Sequence, residues 1–71
     1  MIESDQELNA TLARIARCQQ QVIAVRETAT SPENYRASAG GYLAEIDRMT
    51  LEVREYLWSP PKNTSGKLAV A

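Results

Sequence analysis

The side chains able to do chemistry in this chain are few. The carboxylates Glu45, Asp47, Glu52 and Glu55 fall within one short stretch. Pairs at i,i+3 or i,i+4 on a helix can share a metal pair, but such sites draw on Glu-x-x-His motifs, and the chain has no histidine. Cys18 is the only cysteine, so there is no disulfide within the chain and no ligand set for zinc. Arg14 and Arg17 lie close enough on a helix to depress its thiol pKa, which is what a redox sensor needs. Its place on an apolar stripe favours the other reading, a small buried hydrophobe. A Gly-rich phosphate loop and a nucleophile paired with a base are both missing. The expectation is a protein that is not an enzyme, with no catalytic residue, no metal site and no cofactor.

Two further groups are candidates for recognition. Tyr35, Tyr42 and Tyr56 share one heptad position, where they could line an aromatic groove; tyrosines also bury their rings and send the hydroxyl to water or to a bundle end, and that reading is preferred. Trp58 beside Tyr56 could be a hot spot, but its place at a helix terminus suggests an end plug. Arg14, Arg17 and Arg26 are the basis of an alternative function, a nucleic-acid-binding accessory protein. Against it, they are spread along the chain, Glu27 adjoins Arg26, and the net charge is -1, whereas binders of this kind concentrate their basic face. Nucleic acid is therefore not expected as a partner.

The elements that must position these residues are helices. From Tyr42 to Trp58 the apolar residues Tyr42, Ile46, Met49, Val53 and Tyr56 alternate steps of four and three, and the seam runs back through Ala39 to Tyr35. That spacing predicts a helix built to pack against another helix. Earlier in the chain Leu8, Thr11, Ile15, Cys18, Val22, Val25 and Ala29 repeat the pattern. Ser4 and Glu7 form a capping box, in which the Ser4 hydroxyl takes the Glu7 amide and the Glu7 carboxylate reaches back to Ser4. Ser31-Pro32 opens the second helix as N-cap and first helical residue. Ser59-Pro60-Pro61 stops it. The predicted bounds are about 4–29 and about 32–58, within a hairpin domain covering roughly 1–59, followed by a disordered tail over about 60–71. Gly40-Gly41 sits inside the second helix, and a pair of glycines there marks either a kink or the close approach of another backbone. The unbroken phase across them favours a continuous helix.

With 71 residues the chain holds one small domain, and one core of this size contributes only about 3–5 kcal/mol. A short connection makes the two helices antiparallel. The fold class is thus all-α, a coiled-coil-like antiparallel two-helix hairpin. Leu12, Ile23, Leu43, Leu51 and Leu57 flank the seams and stay partly wet on a lone hairpin. Pairing two hairpins into a dimeric four-helix bundle covers them, so a homodimer is expected, with another protein as the second possible partner. The interaction seam through which the chain is expected to dimerise comprises Leu8, Ile15, Val22, Tyr35, Tyr42, Ile46, Met49, Val53 and Tyr56. The start MIESDQELN lacks a signal-peptide pattern and no apolar run is long enough for a bilayer. No membrane is expected as a partner, and with its single cysteine the chain is placed in the cytoplasm.

The stretch GYLAEIDRMTLEVREYL resembles one found in short bacterial helical-hairpin proteins. It is also similar to the hairpin that precedes the DNA-binding domain in antitoxin-type helix-turn-helix regulators, over about Leu8 to Leu57. This chain departs from the regulators by ending where their DNA-binding domain begins. The resemblance implies a module that dimerises or contacts a toxin, and does not imply DNA binding. The expected function is a non-enzymatic protein–protein interaction and dimerisation module.

Overall fold

A computed structural model describes residues 1–61, and the disordered tail expected beyond Pro61 lies outside the described residues. Two helices account for the fold, α1 over Asp5–Thr28 and α2 over Pro32–Trp58. The described residues contain no strand. The helices pack against each other as the seams predict, giving a rod with extents of 55 × 20 × 17 Å.

Each helix begins on a serine in extended conformation whose hydroxyl accepts an amide of the first turn. At α1 Ser4 takes the Glu7 amide at 3.1 Å. The Glu7 carboxylate accepts from Glu3 at 3.0 Å, one residue further out than the capping box predicts. At α2 Ser31 takes the Asn34 amide at 3.1 Å, and the Asn34 side chain donates to Thr30 at 2.7 Å. Pro32 enters at the first helical position, where its missing N–H removes nothing the helix could use. The connection is short because Thr28 turns its hydroxyl back onto the Ala24 carbonyl and Ala29 leaves the helix in extended conformation.

Two contacts near the ends fix the register. The Tyr56 hydroxyl meets Asp5 and the Arg26 guanidinium meets Tyr35. In both pairs the residue numbers total 61, so a residue n of α1 lies level with residue 61 minus n of α2. The two helices are antiparallel and in step from turn to open end.

The seams, expected to join two chains, instead close inside this one hairpin, because each helix already meets the other's stripe. Met49 and Ala39 are 1 % exposed and Val22 is 9 %. Leu8, Ile15, Tyr35, Ile46, Val53 and Tyr56 are half-buried, while Tyr42 stays 37 % exposed. The helix through Gly40-Gly41 is continuous. A methyl placed on either glycine would meet nothing within 4 Å, so among the described residues the space a side chain would take there is open.

The end of the hairpin differs from expectation. Trp58, expected as an end plug, is 79 % exposed, because a residue two positions past seam residue Tyr56 is turned away from α1. Ile2 is buried at 7 % exposure, and it lines the open-end cleft with Asp5, Tyr56 and Leu57. The chain ahead of α1 folds back and supplies the apolar side chain that closes this end.

Candidate interaction surface

The hairpin has two unlike broad faces, and the cause is a one-residue rule. Each of Leu12, Ala16, Ile23, Leu43, Thr50 and Leu57 immediately follows a seam residue: Thr11, Ile15, Val22, Tyr42, Met49 and Tyr56. One residue further along a right-handed helix is a rotation of about 100°. When two such helices run antiparallel, that rotation brings both stripes onto the same broad side of the pair. Leu12, Ile23, Leu43 and Leu57 remain 44, 48, 45 and 63 % exposed there. A shallow groove lined by Thr50, Val53, Arg54, Leu57 and Trp58 runs along the same side towards the open end.

Residues that immediately precede the seam fall on the opposite side, and these are polar. Arg14, Gln21, Ser38, Glu45 and Glu52 precede Ile15, Val22, Ala39, Ile46 and Val53. Arg48 bridges Glu45 at 2.6 Å and Glu52 at 2.8 Å, as the i,i+3 and i,i+4 spacings predict. Its hydrogen bonds hold the Glu45 carboxyl below the usual carboxylate range, and the Arg14 charge on the other helix lowers it further. Arg14 and Glu45 each precede a seam residue, Ile15 and Ile46, which puts both on one face. The same bonds raise the pKa of Arg48 above the ordinary guanidinium value.

The tyrosines divide by position along the rod. At the turn end Arg26 donates to the Tyr35 hydroxyl at 3.2 Å and stands 5.2 Å from the ring centroid, a cation–π arrangement. At the open end the Tyr56 hydroxyl donates to Asp5 at 2.6 Å. The bond, followed by burial and the nearby Asp5 and Glu7 charges, raises the Tyr56 pKa above its ordinary value of 10.0. Tyr42, midway along, is 37 % exposed. Three phenols at one heptad position thus clamp two helix ends and leave no shared groove.

The structure disperses the remaining candidates. Arg14 and Arg17 precede seam residues Ile15 and Cys18 and so lie towards the polar side, while Arg26 is engaged with Tyr35 at the turn end. Cys18 is a free, half-buried thiol on the seam. Among the described residues no group of three His, Cys, Asp or Glu could hold a metal ion, and no helix is long and apolar enough to cross a membrane.

Sequence reasoning lists the flanking leucines and Ile23 but misses their common side. The signal was available for Leu12, Ile23, Leu43 and Leu57, each preceded by a seam residue, whereas Leu51 lies two residues past Met49 and so falls outside that side. Ile2 had no such signal, since it precedes the capping box and belongs to no periodic stripe. No protein-family model, curated protein or solved structure matches the chain.

Proposed function

We propose that the chain is a non-enzymatic protein–protein interaction and dimerisation module, and that the Leu12, Ile23, Leu43 and Leu57 face is the surface through which it works. Two hairpins joined by this face make a dimeric four-helix bundle. The observation carrying this reading is the asymmetry of the hairpin: Leu12, Ile23, Leu43 and Leu57 share one broad side, while the Glu45, Arg48 and Glu52 ion pairs occupy the other.

Energetics supports the same reading. Among the described residues only Ile2, Val22, Ala39 and Met49 are buried in the single hairpin. A core that small falls short of the usual requirement for a stable domain, and oligomerisation is a common remedy. The face is about 40 Å long, from the rise of a 27-residue helix, and 20 Å wide, which matches the roughly 800 Å² per partner of a standard interface. In a bacterial cytoplasm, such a bundle would present its polar faces to a regulated protein, in keeping with the likeness to antitoxin-type hairpins.

The test is solution mass by light scattering over a concentration series, for the wild type and for Leu12→Glu with Leu43→Glu. The expected result is twice the chain mass of 7.9 kDa for the wild type and a monomer for the variant. A fully helical wild-type monomer at every concentration, binding no other protein, would overturn the proposal.

A further inference from the structure

Two guanidiniums stand at the turn end of the apolar side. Arg26 follows seam residue Val25 and Arg36 follows Tyr35, so both fall on the broad side of Leu12, Ile23, Leu43 and Leu57. The register sets them level, since Arg26 is paired with Tyr35, the residue next to Arg36. The Arg26 guanidinium reaches across the seam to stand 5.2 Å from the Tyr35 ring centroid, and the phenol oxygen engages one of its N–H groups. Arg36 is exposed. Glu27 and Glu33 are close in sequence, yet among the described residues the ion pairs are those of Arg48 with Glu45 and Glu52 and of Arg54 with Glu55. Neither turn-end arginine takes part in one.

Like charges held level across a helix pair repel, and carboxylates set against them relieve both. We infer that the turn end of this face receives an acidic amphipathic helix of another protein, its apolar stripe on Ile23 and Leu43 and its carboxylates against Arg26 and Arg36. This rests on the reading of the apolar side as the working surface, and it adds the chemistry of the partner.

A second copy of the chain does not supply that chemistry. Two-fold pairing face to face sets the rods turn to turn or turn to open end. Turn to turn, α1 lies over α2 of the other copy at equal height, and Arg36 meets Arg26. Turn to open end with the rods fully overlapped, α2 lies over α2 reversed, and Arg36 comes over Arg54, which stands near the open end beside the Tyr56–Asp5 bond. Arg36 is opposed by an arginine either way, and juxtaposed like charges weigh against a pairing. An acidic helix meets no such opposition and displaces the second copy from this end. A nucleic acid would satisfy the guanidiniums with phosphates, but it would leave Ile23 and Leu43, 48 and 45 % exposed, without the apolar cover that a helix lays into a groove.

The test is fluorescence anisotropy of the full-length chain with two labelled helical peptides of about 21 residues, some 30 Å long, sharing one leucine stripe flanked by glutamate in the first and lysine in the second. The glutamate peptide is expected to bind on the order of tenfold more tightly than the lysine peptide. The net charge of -1 acts against that order, so a glutamate preference reports the local arginines. Arg36→Glu should erase the preference, while Arg14→Glu, the same charge change on the polar side, should keep it. Equal or reversed affinities, with both peptides lost in Ile23→Ser plus Leu43→Ser, would overturn the inference and leave the face reading standing. Binding that survives in that double variant would overturn both. A preference removed as fully by Arg14→Glu as by Arg36→Glu would overturn the inference, as would displacement of the glutamate peptide by a duplex oligonucleotide. Undetectable binding of either peptide would overturn it too, and the solution mass of Leu12→Glu with Leu43→Glu then decides the face reading separately.

Discussion

The Tyr56 hydroxyl donates a 2.6 Å hydrogen bond to the Asp5 carboxylate, joining residues 51 positions apart at the open end of the hairpin. Because the bond needs the phenol proton, it raises the Tyr56 pKa above 10.0, with burial and the Asp5 and Glu7 charges adding to the shift. A raised folded-state pKa contributes stability that is fully present below the unfolded pKa and lost as pH climbs through the folded value. The wild type should therefore lose more stability than Tyr56→Phe between neutral pH and a pH well above 10.0. The urea midpoint by circular dichroism measures this directly. Equal alkaline losses in the two proteins would mean the bond does not form in solution. In tyrosinate absorbance titrations, the component missing from Tyr56→Phe should also shift down in Asp5→Asn.

Met49 and Leu51 are both large apolar residues of α2, yet they should respond to truncation in opposite ways. Met49 is 1 % exposed at the centre of the seam and Leu51 is 56 % exposed. Removing the buried side chain forfeits its transfer energy and leaves a cavity, about 2–5 kcal/mol for Met→Ala. That is comparable to everything a core of this size supplies, about 3–5 kcal/mol. Met49→Ala should consequently lose most of its helical signal at ambient temperature, whereas Leu51→Ala should stay within about 0.5 kcal/mol of the wild type. Met49→Leu, which keeps the volume, should cost less than about 1.5 kcal/mol. Thermal melts of the three variants rank them, and a folded Met49→Ala would show that the seam is not the main source of stability.

Several layers of this structure were legible in the sequence for the same physical reason. The three-four spacing that predicts a helix also fixes which side is buried, so Val22, Ala39 and Met49 could be read as core before any coordinate was known. Ser4 and Ser31 were legible because an N-cap hydroxyl acts on an amide only three residues away. What escaped depends on contacts between distant segments. Ile2 closes the open end only because the chain ahead of α1 folds back over the end of α2. Trp58 was misassigned because a terminal position does not determine direction: two residues past the seam, the ring is turned outward. The apolar broad face lay between these cases. Its residues could be identified from the sequence, but their gathering on one side follows from two right-handed helices packing antiparallel.

Gly40 and Gly41 are the residues of α2 whose presence the single hairpin does not explain. Each costs about 1 kcal/mol relative to alanine inside a helix, and an added methyl on either would meet nothing within 4 Å. Alanine at these positions also narrows the unfolded ensemble, which stabilises further when the native backbone accepts it. Gly41→Ala should raise stability by about 0.5–1 kcal/mol, a gain of roughly 4–8 °C in Tm for each kcal/mol in a domain of this size. Gly40 follows seam residue Ala39 and so lies on the apolar side, where a second hairpin would pack. The informative comparison is therefore Tm together with solution mass for both variants. A gain in Tm at both positions with unchanged mass means that neither glycine serves assembly. A gain at Gly41 paired with dissociation at Gly40 would locate a close backbone contact between copies. Destabilisation at both would show that α2 does not pass through the pair as one continuous helix.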